Sequence, residues 1–183
     1  MLYCTNPVVQ QRYKGGQVIF LKSFTIHPRY VDKYKEFDIA IGKLKTHIRP
    51  SKFISYATLP QPMSEPLPGS SITAAGWGIL DWSQENIPPQ MHKVSIPVVS
   101  RDECKDVYGG IYVSERMFCA AAPEGGKDFC LGDNGGPAVD KNGVLVGIMS
   151  WGYQCAVKGS PGVYTRVGYN SILQFIISEA KLP

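Results

Sequence analysis

Few residues in this 183-residue chain are able to do covalent chemistry. Three carboxylates stand out, Asp38, Asp128 and Asp133, with three imidazoles, His27, His47 and His92. An acid, an imidazole and a hydroxyl brought together form a nucleophile: the imidazole takes the hydroxyl proton and the oxygen attacks a carbonyl carbon. Residues 132–137 read Gly-Asp-Asn-Gly-Gly-Pro, a glycine-rich loop with Asn134 near its centre. A carboxamide cannot be deprotonated in this way, so the loop carries no nucleophile of that kind.

The five cysteines point to a different role. Cys104, Cys119, Cys130 and Cys155 have spacings suited to disulfide-closed loops of a secreted domain and form no CxxC metal pattern. Cys4 is left over, either as a free surface thiol or as the survivor of a pair whose partner lies upstream. Residues 1–4, Met-Leu-Tyr-Cys, show neither the basic region nor the apolar run of a signal peptide, so a missing N-terminal region is expected. No apolar stretch reaches membrane-spanning length. The net charge of +4 is scattered, without a basic block or an aromatic-interleaved stripe, which argues against a nucleic-acid surface. Neither a cofactor nor a metal is implied.

The elements that carry these residues read as all-β. Short runs rich in Val and Ile, bounded by turn residues, predict strands at 17–25, 37–44, 71–77, 93–99, 117–121, 144–151 and 162–167. Asn142-Gly143 lies between the apolar runs 137–139 and 144–149 and predicts a tight hairpin with positive backbone angles. Residues 59–69 are too proline-dense for a central strand or helix. They suggest a division into 1–58, a connecting segment 59–70, and 71–183. Ser100 and Glu103 have capping-box spacing for a short helix to about Val107. Ile172, Phe175 and Ile176 recur at helical spacing after a cap at Asn170 or Ser171.

With these residues in place, the chain resembles the chymotrypsin/trypsin-like serine proteases over nearly its whole length. The loop 132–137 resembles the family's Gly-Asp-Ser-Gly-Gly-Pro with Asn134 in place of the serine. Phe37-Asp38-Ile39-Ala40-Ile41 resembles the segment holding the triad aspartate, and Ala75-Gly76-Trp77-Gly78 the start of the second barrel. Ser150-Trp151-Gly152 and residues 161–167 resemble the strands that wall the specificity pocket. In phrasing, residues 98–101, 125–128 and 150–153 are similar to trypsin-like dust-mite allergens and to the inactivated scabies-mite paralogues of such enzymes. The resemblance implies a double antiparallel β-barrel with a C-terminal helix, the first barrel N-terminally incomplete here. It also implies the disulfides Cys104–Cys119 and Cys130–Cys155.

The same resemblance assigns site roles. Asp38 is the retained triad acid, vestigial without partners; Asn134 occupies the nucleophile position. The histidine's Ala-Ala-His-Cys context is absent, and if Cys4 belongs to that segment, Tyr3 stands where the histidine would be. The three histidines present are expected to be structural or solvated, His27 on a surface stretch leading to Asp38. The backbone amides of Gly132 and Asn134 would be the oxyanion donors. Asp133 would pair with an activation terminus of Ile-Val-Gly-Gly type that is absent, so a loosely held loop is expected. Asp128, six residues before Asn134, is where trypsin-like enzymes bind substrate Arg or Lys, with Ser150, Trp151, Gly152 and Gly162 around the pocket. Phe129 and Leu131 are bulkier or more apolar than usual there, leaving open whether the pocket is usable.

Three functional readings remain. One is a secreted, inactive protease homologue, monomeric, acting by binding a protein or a peptide with a basic side chain and interfering with host defence, complement included. The second is an active Arg/Lys-directed endopeptidase represented by a fragment or by an error at residue 134. The third is a non-functional truncated product.

Overall fold

A computed structural model of the chain describes residues 17–83 and 86–181. Tyr3 and Cys4, and the readings placed on them, lie outside the described residues. In chain order the elements are β1 (Leu21–Ile26), β2 (Ala40–Leu44), β3 (Ser71–Gly76), β4 (His92–Val99), α1 (Arg101–Tyr108), β5 (Met117–Ala120), β6 (Pro137–Val139), β7 (Leu145–Trp151), β8 (Gly162–Arg166) and α2 (Asn170–Ala180).

Six strands form a closed antiparallel barrel in the order β3-β4-β5-β8-β7-β6, sealed where β6 returns to β3 through Thr73 opposite Val139 and Ala74 opposite Ala138. Alternation explains which side chains enter. Ile72 and Ala74 of β3 and Ile96 and Val98 of β4 point inward to meet Phe118, Phe129, Val146, Met149 and Tyr164. Gly147 is required at one close approach, since a Cβ there would stand 2.6 Å from the Phe118 ring, which stacks on Tyr164 at 5.1 Å.

β7 is buried on both faces because Leu145 and Ile148 point outward into a second cluster with Phe37, Ile39, Ile41, Val167 and the apolar face of α2. That cluster fastens the N-terminal part to the barrel. Among the described residues this part forms a two-stranded antiparallel sheet, β1 with β2, and no closed barrel. Lys43 pairs with Glu179 of α2 at 3.0 Å, and Thr25 reaches the same carboxylate at 3.3 Å.

Residues 59–70 contain no strand or helix but are firmly attached. Buried Arg166 donates to the carbonyls of Met63 (2.5 Å) and Ser64 (2.9 Å) and pairs with Glu65 at 2.9 Å, while Gly69 donates to Val98. Ser100 caps α1 by accepting from the Glu103 N–H at 3.1 Å. Both implied disulfides are formed, Cys104–Cys119 and Cys130–Cys155, spanning 15 and 25 residues. In the chain-entropy picture each stabilises by about 3 kcal/mol.

Several local expectations are corrected. The 17–25 strand is Leu21–Ile26, and the 37–44 strand starts only at Ala40. Phe37 has φ 53° and the Ile39 N–H donates back to the Phe37 carbonyl at 2.8 Å, so a tight turn about Asp38 precludes a strand there. At the β6–β7 hairpin only Gly143 takes positive φ (77°); Asp140 bridges the turn by accepting from Asn142 and Val144. α2 begins at Asn170 after Tyr169, which supplies no side-chain cap, so neither Asn170 nor Ser171 is the cap.

Candidate functional site

Asp38 is positioned by strain held under packing. A bulky residue at positive φ costs on the order of 1–3 kcal/mol. Phe37 tolerates this because its ring is clamped: His27 stacks on it at 4.6 Å, and the guanidinium groups of Arg29 and Arg116 lie 4.4 Å and 4.7 Å from its centroid. The turn then turns Asp38 toward the barrel. Its Oδ2 accepts from the Ser150 hydroxyl at 2.6 Å and its carbonyl accepts from Thr165 Oγ1 at 2.8 Å.

Ser150 is also where the loop 132–137 arrives. β7 loses register with β8 between Met149 and Trp151, and the Ser150 carbonyl in that irregularity accepts from Asn134 Nδ2 at 2.5 Å. Asp38, Ser150 and Asn134 therefore form one connected chain of hydrogen bonds.

The loop is fastened, contrary to the expectation of a loosely held segment. Asp133 accepts from the backbone N–H of Gly78 (2.7 Å) and of Cys130 (3.0 Å), one through each oxygen. Gly135 donates to the Met149 carbonyl at 2.8 Å, and Met149 donates back to Gly136 at 2.9 Å. The absence of side chains at Gly76 and Gly78 makes this possible, since a Cβ would fall 2.0 Å and 2.4 Å from the Asp133 oxygens. The backbone N–H groups of Gly132 and Asn134 donate no hydrogen bond among the described residues.

Beside Asn134 opens a cavity of about 230 Å³ lined by Asp128, Phe129, Leu131, Ser150, Trp151 and Gly152, with Lys35 and Trp82 at its edge. Asp128 accepts from Phe129 N at 2.8 Å and Ala156 N at 3.2 Å. Burial pushes its pKa up to about 6; the two N–H bonds oppose that shift and the charge of Asp133 adds to it. Buried Phe129 turns its ring edge-on to Tyr164 at 5.1 Å, in the barrel core. Gly162 stands behind it: a Cβ there would meet Asp128 Oδ1 at 2.5 Å and Phe129 at 2.7 Å, so this glycine makes room for Phe129 and does not line the cavity. Leu131 lies exposed at the rim.

His27 is buried, not on the surface as the sequence suggested. It is packed between Phe37 and Phe175, accepts from Arg29 N at 3.1 Å, and burial lowers its pKa. His47 and His92 are exposed. Among the described residues none of the three hydrogen-bonds to Asp38, Ser150 or Asn134. Two residues lining the cavity were missed by sequence reasoning, Lys35 and Trp82. The Tyr164 hydroxyl is buried without a partner, and its pKa is raised well above the ordinary value by burial and by Asp128 and Asp133.

The family model described as Trypsin matches residues 3–175. Trypsin Blo t 3 of Blomia tropicalis is 40% identical over 161 residues, covering 84% of this chain and 59% of the relative. Trypsin 5G1 of Aedes aegypti is 39% identical, covering 86% and 59%. Trypsin-3 of Salmo salar is 41% identical, covering 84% and 63%. The chain thus spans about three fifths of the length of these curated relatives.

Proposed function

The chain belongs to the trypsin family of serine proteases, and from that membership we propose that it is a hydrolytically silent member that acts by binding. The observation that carries this reading is Asn134 at the nucleophile position, with its carboxamide engaged by the Ser150 carbonyl. A carboxamide offers no oxygen that a base can activate. Asp38 supports the same reading, because among the described residues no histidine hydrogen-bonds to its carboxylate, one oxygen of which accepts from the Ser150 hydroxyl. Asp38 is thus a vestigial acid that now ties the β1–β2 side of the cleft to the barrel.

Asp128 supports recognition of a basic side chain. Each of its oxygens holds one backbone N–H and retains lone-pair capacity for a guanidinium or ammonium. Ser150, Trp151 and Gly152 form the wall beside it. Such a ligand requires the ionised form, so binding strengthens as pH rises through about 6. The two disulfides support secretion, and the proposed role is one in which the protein occupies host-defence proteases or complement components without cleaving them.

The test is turnover. Purified protein incubated with an arginine or lysine peptide amide at pH 8 is expected to release product at the buffer rate. The second reading, an Arg/Lys-directed endopeptidase, is favoured by the names of the relatives and by Asp128; measurable hydrolysis would establish it and overturn the first.

A further inference from the structure

We propose that Asn134 is an internal latch: its carboxamide occupies a main-chain acceptor that an extended peptide needs, so the Asp128 cavity takes a free amidinium or guanidinium more readily than a peptide bearing the same group. This rests on the reading that the cavity binds basic groups. Because Ser150 lies in the register irregularity of β7, its carbonyl is available beside the cavity. A peptide that places a side chain in such a pocket typically pairs its main chain with the adjoining strand. Its N–H would meet the Ser150 carbonyl and have to compete there with Asn134 Nδ2, already bound at 2.5 Å, for a well-aligned approach to the oxygen.

The latch is held at both ends. Asn134 sits on a loop fixed by the two bonds to Asp133 and the reciprocal bonds of Gly135 and Gly136 with Met149. Ser150 is held through its hydroxyl bond to Asp38, whose own carbonyl accepts from Thr165. Asn134 is exposed, so a ligand can displace it at the cost of one hydrogen bond. That loss corresponds to a peptide affinity lowered about fivefold relative to a cation without a main chain.

The experiment compares two probes on the full chain by calorimetry at pH 8, benzamidine and the capped peptide acetyl-Ala-Ala-Arg-amide, with Asn134→Ala and Asn134→Ser beside the unaltered protein. Far-UV circular dichroism and intact disulfides check the fold of each variant. The ratio of peptide Kd to benzamidine Kd is expected to fall about fivefold in both variants. An unchanged ratio with benzamidine still binding would overturn the latch while leaving the cavity reading intact. Failure of both probes to bind any of the three proteins would overturn the cavity reading and the latch with it.

Discussion

Replacing Asp128 by Asn removes a carboxylate that the fold holds in a desolvated place, and its effect on stability is expected to depend on pH with a definite sign. The native pKa is about 6 against 3.8 for the ordinary group, a rise of about two units, worth about 3 kcal/mol at 1.36 kcal/mol per unit. A raised carboxylate binds its proton more tightly in the folded state. Its contribution to stability is therefore fully present below pH 3.8 and is lost as pH rises through about 6. Asp128→Asn is uncharged throughout and escapes that loss. It suffers another, because its amide faces one of the donors Phe129 N and Ala156 N, at about 1 kcal/mol. Urea unfolding at pH 4, 5, 6, 7 and 8 is the assay. Relative to the unaltered protein, the variant should gain about 2.5 kcal/mol between pH 4 and pH 8, ending about 2 kcal/mol more stable. Parallel stability curves over that range would show that Asp128 is not desolvated as described.

Three further substitutions probe the supports of the site. Gly78→Ala places a methyl group against the Asp133 carboxylate and should cost about 2 kcal/mol or more, with faster amide hydrogen exchange across residues 130–136. Ser150→Ala deprives Asp38 of its hydroxyl donor and should lower stability by about 2 kcal/mol in urea unfolding, the value for a bond to a charged group. Arg166→Leu leaves the carbonyls of Met63, Ser64 and Glu115 without their donor and should cost about 3 kcal/mol, with residues 59–70 becoming susceptible to limited proteolysis.

Much of the barrel was legible because its strands obey local rules. Inward Ile72, Ala74, Ile96 and Val98 alternate with outward residues, and Ser100 caps α1 by a contact three residues long. The failures lie where distant residues overrule local pattern. The Phe37 region looks like strand, yet a stack of His27, Arg29 and Arg116 stabilises its positive φ and bends the chain at Asp38. His27 looked superficial in its Ile-His-Pro context because its burial depends on Phe175, far along the chain. In the site, Asp128, Asn134, Ser150, Trp151 and Gly152 could be named from sequence and do share one cavity. Lys35 could not be placed there, since only the docking of the β1–β2 side on the barrel carries it to that edge. Phe129 leaves the width of the pocket open in the sequence; the space left by Gly162 lets its ring meet Tyr164 in the core while the residue still lines the cavity. Nor did any pattern announce that Asp133 would find two backbone donors, because both Gly76 and Gly78 matter through the side chains they lack.

Whether the site is chemically silent is tested most directly by treating the purified chain with a fluorophosphonate and recording its intact mass. With Asn134 in the loop and the Ser150 hydroxyl held by Asp38, no covalent phosphonyl adduct should form. A stoichiometric mass increase, mapped to any residue of the cavity, would contradict it.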